Sequence, residues 1–118
     1  MPSGDVFHDV NIADFSWVGV GPITARYFAD YGATVIRVES MLRVETLRNG
    51  APFRDGKRSV NGSPFFANFN AGKYGMSLNL KHPRAKDIAA RLVMWADIVT
   101  DSFTAGSMKR LGLDYQWA

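Results

Sequence analysis

The chain has 118 residues, 47% of them hydrophobic and 21% charged, with 14 basic against 11 acidic side chains for a net charge of +3. That length suits one small domain, and the balance excludes disordered, collagen-like and low-complexity classes. No apolar run approaches the roughly 18–20 residues that span a bilayer, and Met1-Pro2-Ser3-Gly4-Asp5 lacks the basic-then-apolar start of a signal peptide. No membrane partner is expected, and the location expected is cytoplasmic. The absence of cysteine excludes disulfides and thiolate chemistry, and His8 and His82 stand far apart, so no metal is expected.

Asn11 to Phe15 reads as a short strand, broken by Gly19-Val20-Gly21-Pro22. Pro22 suits the first helical position, where its missing N–H costs nothing. Ile23 to Tyr31 then spaces its apolar residues as a helix, stopped by Gly32. Ala33 to Glu39 is a β-branched strand in which Val35 and Ile36 face opposite ways. Strand, turn, helix, glycine, strand is a βαβ unit, and such a unit implies a parallel sheet with a right-handed crossover.

From Ser40 to Ser63 the chain is polar and arginine-containing, a length that points to a functional or mobile loop. Pro64 to Ala67 can start a short helix, Asn70 to Lys73 a turn, and Met76 to Leu80 a strand. Pro83 opens a helix whose stripe is Ala85, Ile88, Ala89, Leu92, Val93 and Ala96. Ile98 to Thr100 is a further strand, and Ser102 to Gly106 turns into a short helix ending at Gly112. Asp114 is a good N-cap for a helix whose first turn would be Tyr115 to Ala118, so the chain reads as cut short.

Two features point toward a ligand. Gly19-Val20-Gly21 between a strand and a helix, with Glu39 ending the next strand, invites a dinucleotide-binding reading. Thr24 stands where that fingerprint wants its third glycine or alanine, and Pro22 removes an N–H where a phosphate wants a donor, so a plain packing turn is the stronger reading. The second feature is the mid-chain gathering of Arg37, Arg43, Arg48, Arg54, Lys57, Arg58, Lys73, Lys81 and Arg84. It forms no dense patch on one helix face, and no nucleic-acid partner is expected. A phosphorylated small molecule fits these cations at least as well.

Four blocks, taken in order, carry a resemblance. Asn11 to Ser16 with Gly21-Pro22 and Phe28 to Glu39 resembles the opening of the family III CoA-transferases, the group that includes carnitine, bile-acid and formyl-CoA transferases and α-methylacyl-CoA racemases. Asn70-Ala71-Gly72-Lys73 through Lys81 resembles the family's "N-x-G-K-R-S-V-x-L-D-L-K", Ala96 to Phe103 its "A-D-V-x-x-E-N-F", and Lys109 to Tyr115 its "x-R-L-G-L-x-Y". The resemblance implies an α/β, Rossmann-like parallel sheet of βαβ units, with residues 1–118 forming the N-terminal part of the large CoA-binding domain of an interlocked dimer. It implies coenzyme A as substrate thioester, and it implies CoA transfer from an acyl-CoA to a carboxylic acid. An α-methylacyl-CoA racemase, or a non-catalytic CoA- or nucleotide-binding module or partner subunit in a heterodimer, is the alternative.

Site residues carry over position by position. The resemblance places Val18, Ser40, Leu78, Lys81, Ser102, Phe103 and Arg110 at the CoA, and Trp17 and Gly19 at the acyl group. Lysine and arginine near phosphate make chemical sense as point-charge and forked donors. Phe103 has core packing as its competing role, and Arg110 the dipole of a helix end. The sequence departs from the family at Ser40, often arginine, at Ser102, usually asparagine, at Tyr74-Gly75 in place of arginine-serine, and at Gly19, polar in some transferases. The nucleophilic aspartate is expected beyond Ala118, so no catalytic residue is assigned, and the isolated segment is expected to be inactive.

Overall fold

The computed structural model describes residues 5–113; the Asp114 cap and the helix turn expected after it lie outside them. Four strands, β1 (Asn11–Phe15), β2 (Thr34–Glu39), β3 (Tyr74–Ser77) and β4 (Ile98–Asp101), form one sheet in the order β3-β2-β1-β4. Every pairing is parallel, with Ile12 opposite both Val35 and Ile98, and Val38 opposite Met76. Parallel neighbours cannot be joined by a hairpin. The crossovers are α1 (Val20–Asp30), the 40–63 segment with α2 (Pro64–Phe69), and α3 (Ala85–Trp95); α4 (Ser107–Arg110) follows β4. The chain builds outward from β1 to β3, then α3 returns it to the free side of β1. The order therefore reverses between β1 and β4, and open parallel sheets bind ligands outside the carboxyl ends at such a point.

The two central strands, β1 and β2, are covered on both faces, as the inside of a parallel sheet requires. Ile12 and Val35 face α1 and pack with Ala25 and Ala33, and the rings of Phe7 and Phe28 meet beside them with centres 4.6 Å apart. Ala13, Phe15 and Val38 face the opposite way, onto Ala89, Leu92 and Val93 of α3 and onto Leu113. The opposed facing of Val35 and Ile36 is observed, with Ile36 packed against this second cluster.

Several boundaries differ from the sequence expectation. Helix α1 begins at Val20, two residues before Pro22. Pro22 still falls in the first turn, whose N–H groups have no helical partner, so its ring is tolerated there. Strand β3 starts at Tyr74 and ends at Ser77, where Met76 to Leu80 had been expected. Pairing ends at the Leu78 N–H, which donates to the Glu39 carbonyl at 2.9 Å, and the Leu78 and Leu80 side chains pack against the α3 cluster. Helix α3 starts at Ala85, after Pro83, and Ile88 is 47% exposed at the flank of the buried Ala85, Ala89, Leu92 and Val93 face. The 40–63 segment is no open loop. It holds short 3-10 turns at Thr46–Asn49 and Arg54–Gly56, and it buries Glu45 and Ser63.

The approach of α1 to the end of β1 depends on Gly21. A Cβ at that position would overlap the side chain of Ser16, whereas one at Gly19 would meet nothing within 4 Å. Gly21→Ala is therefore expected to destabilise by about 1–3 kcal/mol through overpacking, with Gly19→Ala close to neutral. Thermal unfolding of the two variants against wild type checks this, and equal midpoints for both would contradict it.

Candidate functional site

A cavity of about 620 Å³ opens at the carboxyl edge of the sheet. Each strand contributes through the residues at or just after its end: Phe15 and Trp17 from β1, Val38, Glu39 and Ser40 from β2, Leu78 to Lys81 after β3, and Ser102 to Thr104 after β4. Leu42, Arg43 and Ser107 complete the wall. The structure thus brings together six residues named from sequence, Trp17, Ser40, Leu78, Lys81, Ser102 and Phe103.

Three others stand off the wall. Arg110 approaches through an intermediary, its Nη2 donating to Ser107 Oγ at 2.9 Å. Gly19 caps α1 without lining the cavity. The Val18 N–H already donates to Glu45 Oε1 at 3.1 Å, so that amide is not open to a nucleotide. The sequence reading missed Arg43 as a wall residue, although it lay in the cation cluster; its guanidinium sits 5.4 Å from the centre of the Trp17 ring. It also missed Asn79, although it lies in the 70–81 block, and Thr104 and Ser107, small polar residues with no motif to mark them.

Beside the cavity lies a buried network of charge. Asp14, with no exposed surface, accepts at Oδ2 from Lys73 Nζ at 2.7 Å. Its Oδ1 accepts from the Ser16 N–H at 2.9 Å, from Thr100 Oγ1 at 2.8 Å and from the Ser16 hydroxyl. Asn70 Oδ1 links Lys73 to Arg37, accepting from Nζ at 2.9 Å and from Nε at 3.1 Å. Arg37 then donates to Glu39 at 2.7 Å and faces Glu45 at 3.7 Å, beyond hydrogen-bond reach. Arg48 grips both Glu39 oxygens at 2.8 Å, and the Glu45 N–H donates to Glu39 at 2.6 Å. The Phe66 ring packs against both guanidinium groups, 4.7 Å from Arg37 and 3.6 Å from Arg48.

Asp14, Glu39 and Glu45 thus face Lys73, Arg37 and Arg48, and the network is internally neutral. This corrects two sequence readings. Arg37, Arg48 and Lys73 belong to internal pairs and are not free for an anionic ligand. Glu39 is enclosed by Arg37, Arg48 and the Glu45 amide, so it is not placed to hold a ribose, and the dinucleotide reading loses its acid. Arg43 and Lys81, outside the network, supply the positive charge at the cavity wall. A smaller cavity of about 390 Å³ lies over the network and is lined by Arg37, Arg48, Phe66 and Lys73 among others. Its cations are already matched.

Burial pushes the Glu39 carboxyl up, but the Arg48 hydrogen bonds, the Glu45 N–H and Arg37 outweigh it and hold the group below its ordinary 4.5. Burial pulls the Lys73 ammonium below its ordinary 10.5, against the opposing pull of Asp14. Val18 has a φ of 73°, and a β-branched residue in this left-handed region costs on the order of 1–3 kcal/mol unless its surroundings impose it. Among the described residues no group of three or more His, Asp or Glu is placed to hold a metal, and no helix is long and apolar enough to cross a membrane.

The model of CoA-transferase family III matches residues 7–117. The chain belongs to that family. It is 35% identical over 97 residues to the BbsE subunit of succinyl-CoA:(R)-benzylsuccinate CoA-transferase from Thauera aromatica, a match covering 82% of the chain and 23% of the relative. It is 32% identical over 109 residues to succinyl-CoA:mesaconate CoA-transferase from Haloarcula marismortui, covering 92% of the chain and 27% of the relative. The crystal structure of a CAIB/BAIF family protein from Brucella suis superposes with a TM-score of 0.80 at 27% identity, covering 92% of this chain and 29% of that one. The family III chain described here spans about a quarter of its curated relatives, and its α/β sheet is the family fold.

Two outcomes follow from the network. Lys73→Met leaves the Asp14 carboxylate buried without its cation, and loss of one partner of a buried pair costs about 3–5 kcal/mol. A large fall in the thermal midpoint is expected, and a midpoint within error of wild type would contradict the pairing. For Glu39, the folded chain favours the carboxylate, so its contribution is present above pH 4.5 and is lost as pH falls through the lower folded value. Glu39→Gln should be less stable at neutral pH and should lose less on acidification, which thermal unfolding across an acid series measures.

Proposed function

We propose that this segment forms part of the coenzyme A site of a cytoplasmic CoA-transferase, which moves CoA from an acyl-CoA thioester to a carboxylic acid. The observation that supports it is convergence: six positions implied by the family resemblance, from four separate strand ends, line one cavity at the carboxyl edge. Lys81 and Arg43 there are unmatched by the neutral network, and an ammonium and a guanidinium suit phosphate oxygens. Arg110 adds a further cation through Ser107. Leu78 and Phe103 offer the apolar surface that the non-phosphate part of CoA needs. The names of the relatives point to succinyl-CoA as a donor of the kind this enzyme uses.

Transfer in this chemistry needs a carboxylate free to attack the thioester carbon, forming an anhydride and releasing CoA as thiolate; the thiolate attacks the enzyme-side carbonyl and expels the donor acid, and the acceptor carboxylate then runs the same two steps in reverse, leaving as the new thioester and freeing the nucleophile. None of the three acids of the network meets that need. Both oxygens of Asp14 are bonded, both oxygens of Glu39 are held by Arg48, and Glu45, whose Oε2 has no hydrogen-bond partner, is wholly buried and off the cavity wall. We assign the nucleophile to a part of the full-length protein outside residues 1–118. Assembly as an interlocked dimer, with an identical or a related partner, belongs to the same reading. Its support is the apolar surface left open on α1 at Val20 and Tyr27, just after it at Tyr31, and on α3 at Met94.

The test is CoA titration of the full-length protein. Lys81→Ala and Arg110→Ala should each weaken CoA by about tenfold, the loss of one charge-assisted hydrogen bond. Wild-type affinity should fall as salt rises, since exposed cation–phosphate contacts are screened. Unchanged affinity in both variants would sink the assignment. The 118-residue segment alone, given an acyl-CoA and a free acid, should yield no new thioester by mass spectrometry.

A further inference from the structure

Trp17, Val18 and Gly19 connect β1 to α1, and Trp17 presents its ring to the larger cavity with Arg43 above it. Val18 is in the left-handed region although the residue is 45% exposed. Two side chains from distant parts of the chain bond the amides at this point. Ser102 Oγ accepts the Trp17 N–H at 2.7 Å, and Glu45 Oε1 accepts the Val18 N–H at 3.1 Å. Glu45 is wholly buried and is not on the cavity wall. Its carboxylate is held in turn by the Leu47 N–H at 3.0 Å and faces Arg37 at 3.7 Å.

We propose that Glu45 and Ser102 are positioning residues, a two-point clamp that fixes the Trp17–Gly19 connection in its ligand-binding conformation. The proposal rests on the reading of the larger cavity as the CoA site. Without the clamp, Val18 relaxes to negative φ and the Trp17–Arg43 pair leaves the wall. Ordering of that wall then has to occur at the moment of binding, and affinity drops by its cost. Glu45 acts here without touching the ligand, which separates it from the wall residues.

The experiment combines CoA titration, thermal unfolding and amide hydrogen exchange on the full-length protein. In CoA-free wild type, the Trp17 and Val18 amides should exchange slowly despite their exposed setting. Ser102→Ala, at an exposed position, should speed Trp17 exchange and weaken CoA by about tenfold, the value of one hydrogen bond, with little change in thermal midpoint. Ser102→Thr, which keeps the hydroxyl, should restore both. Glu45→Gln keeps an acceptor for Val18 and should bind CoA more tightly than Glu45→Ala. If Glu45→Ala does not fold, the Ser102 pair decides. Weaker CoA with a still-protected Trp17 amide would make Ser102 a direct contact and overturn the clamp. Fast exchange with unchanged affinity would overturn it too, as would affinity that falls only in step with the thermal midpoint. No CoA binding by wild type would overturn the cavity reading and the clamp together, whereas each other failure leaves the cavity reading standing.

Discussion

The buried pair between Asp14 and Lys73 is the constraint on which the rest of the structure hangs. It joins the end of β1 to the turn that starts β3, residues 59 apart in sequence, and neither group has solvent to fall back on. Two charges taken out of water lose several kcal/mol of hydration each, and only a complete set of partners makes such a site tolerable. That completeness recruits Thr100 from β4, Ser16 from the connection to α1, and Asn70 from the end of α2. Through Asn70 it passes to Arg37 and so to Glu39, Glu45 and Arg48. One polar seam therefore ties the carboxyl ends of β1, β2 and β4 to the start of β3.

The division of cations follows from the same seam. The chain spends Arg37, Arg48 and Lys73 on its own acids and leaves Arg43 and Lys81 at the larger cavity. A count of basic residues along the chain could not show this division, because the acids that neutralise them lie in other segments. Phe66 matters here as well. By stacking under both guanidinium groups it shields the seam from water and strengthens each ion pair.

Much of the architecture was legible in the sequence because it is local. Alternating β-branched residues at 34–39, the glycine at 32 and the spacing of Ala85, Ala89, Leu92 and Val93 announce their elements by themselves. Strand β3 was read as starting two residues and ending three residues too late because Met76-Ser77-Leu78-Asn79-Leu80 alternates as a strand would. Tertiary burial of Leu78 and Leu80 won over that pattern. Glu45 was illegible for the opposite reason. A glutamate in a polar stretch gives no hint of being buried, and its partners, Val18 and Arg37, are set by a chain path that local periodicity does not encode. Six positions carried over from the family blocks line the larger cavity, whereas Val18 stands off its wall with its amide bonded to Glu45.

The strand order has a consequence for how this sheet can be extended. Among the described residues β3 and β4 each have one neighbour, so each turns a row of unpaired amides and carbonyls outward. A further parallel strand reaches either edge only through a crossover segment, since a tight turn joins antiparallel neighbours. Growth of the parallel sheet here therefore comes in strand–helix units. An edge of this kind is also a template for the wrong chain. With Val99 partly exposed on β4 and Tyr74 on β3, the two borders are the places where unrelated copies would first zip together.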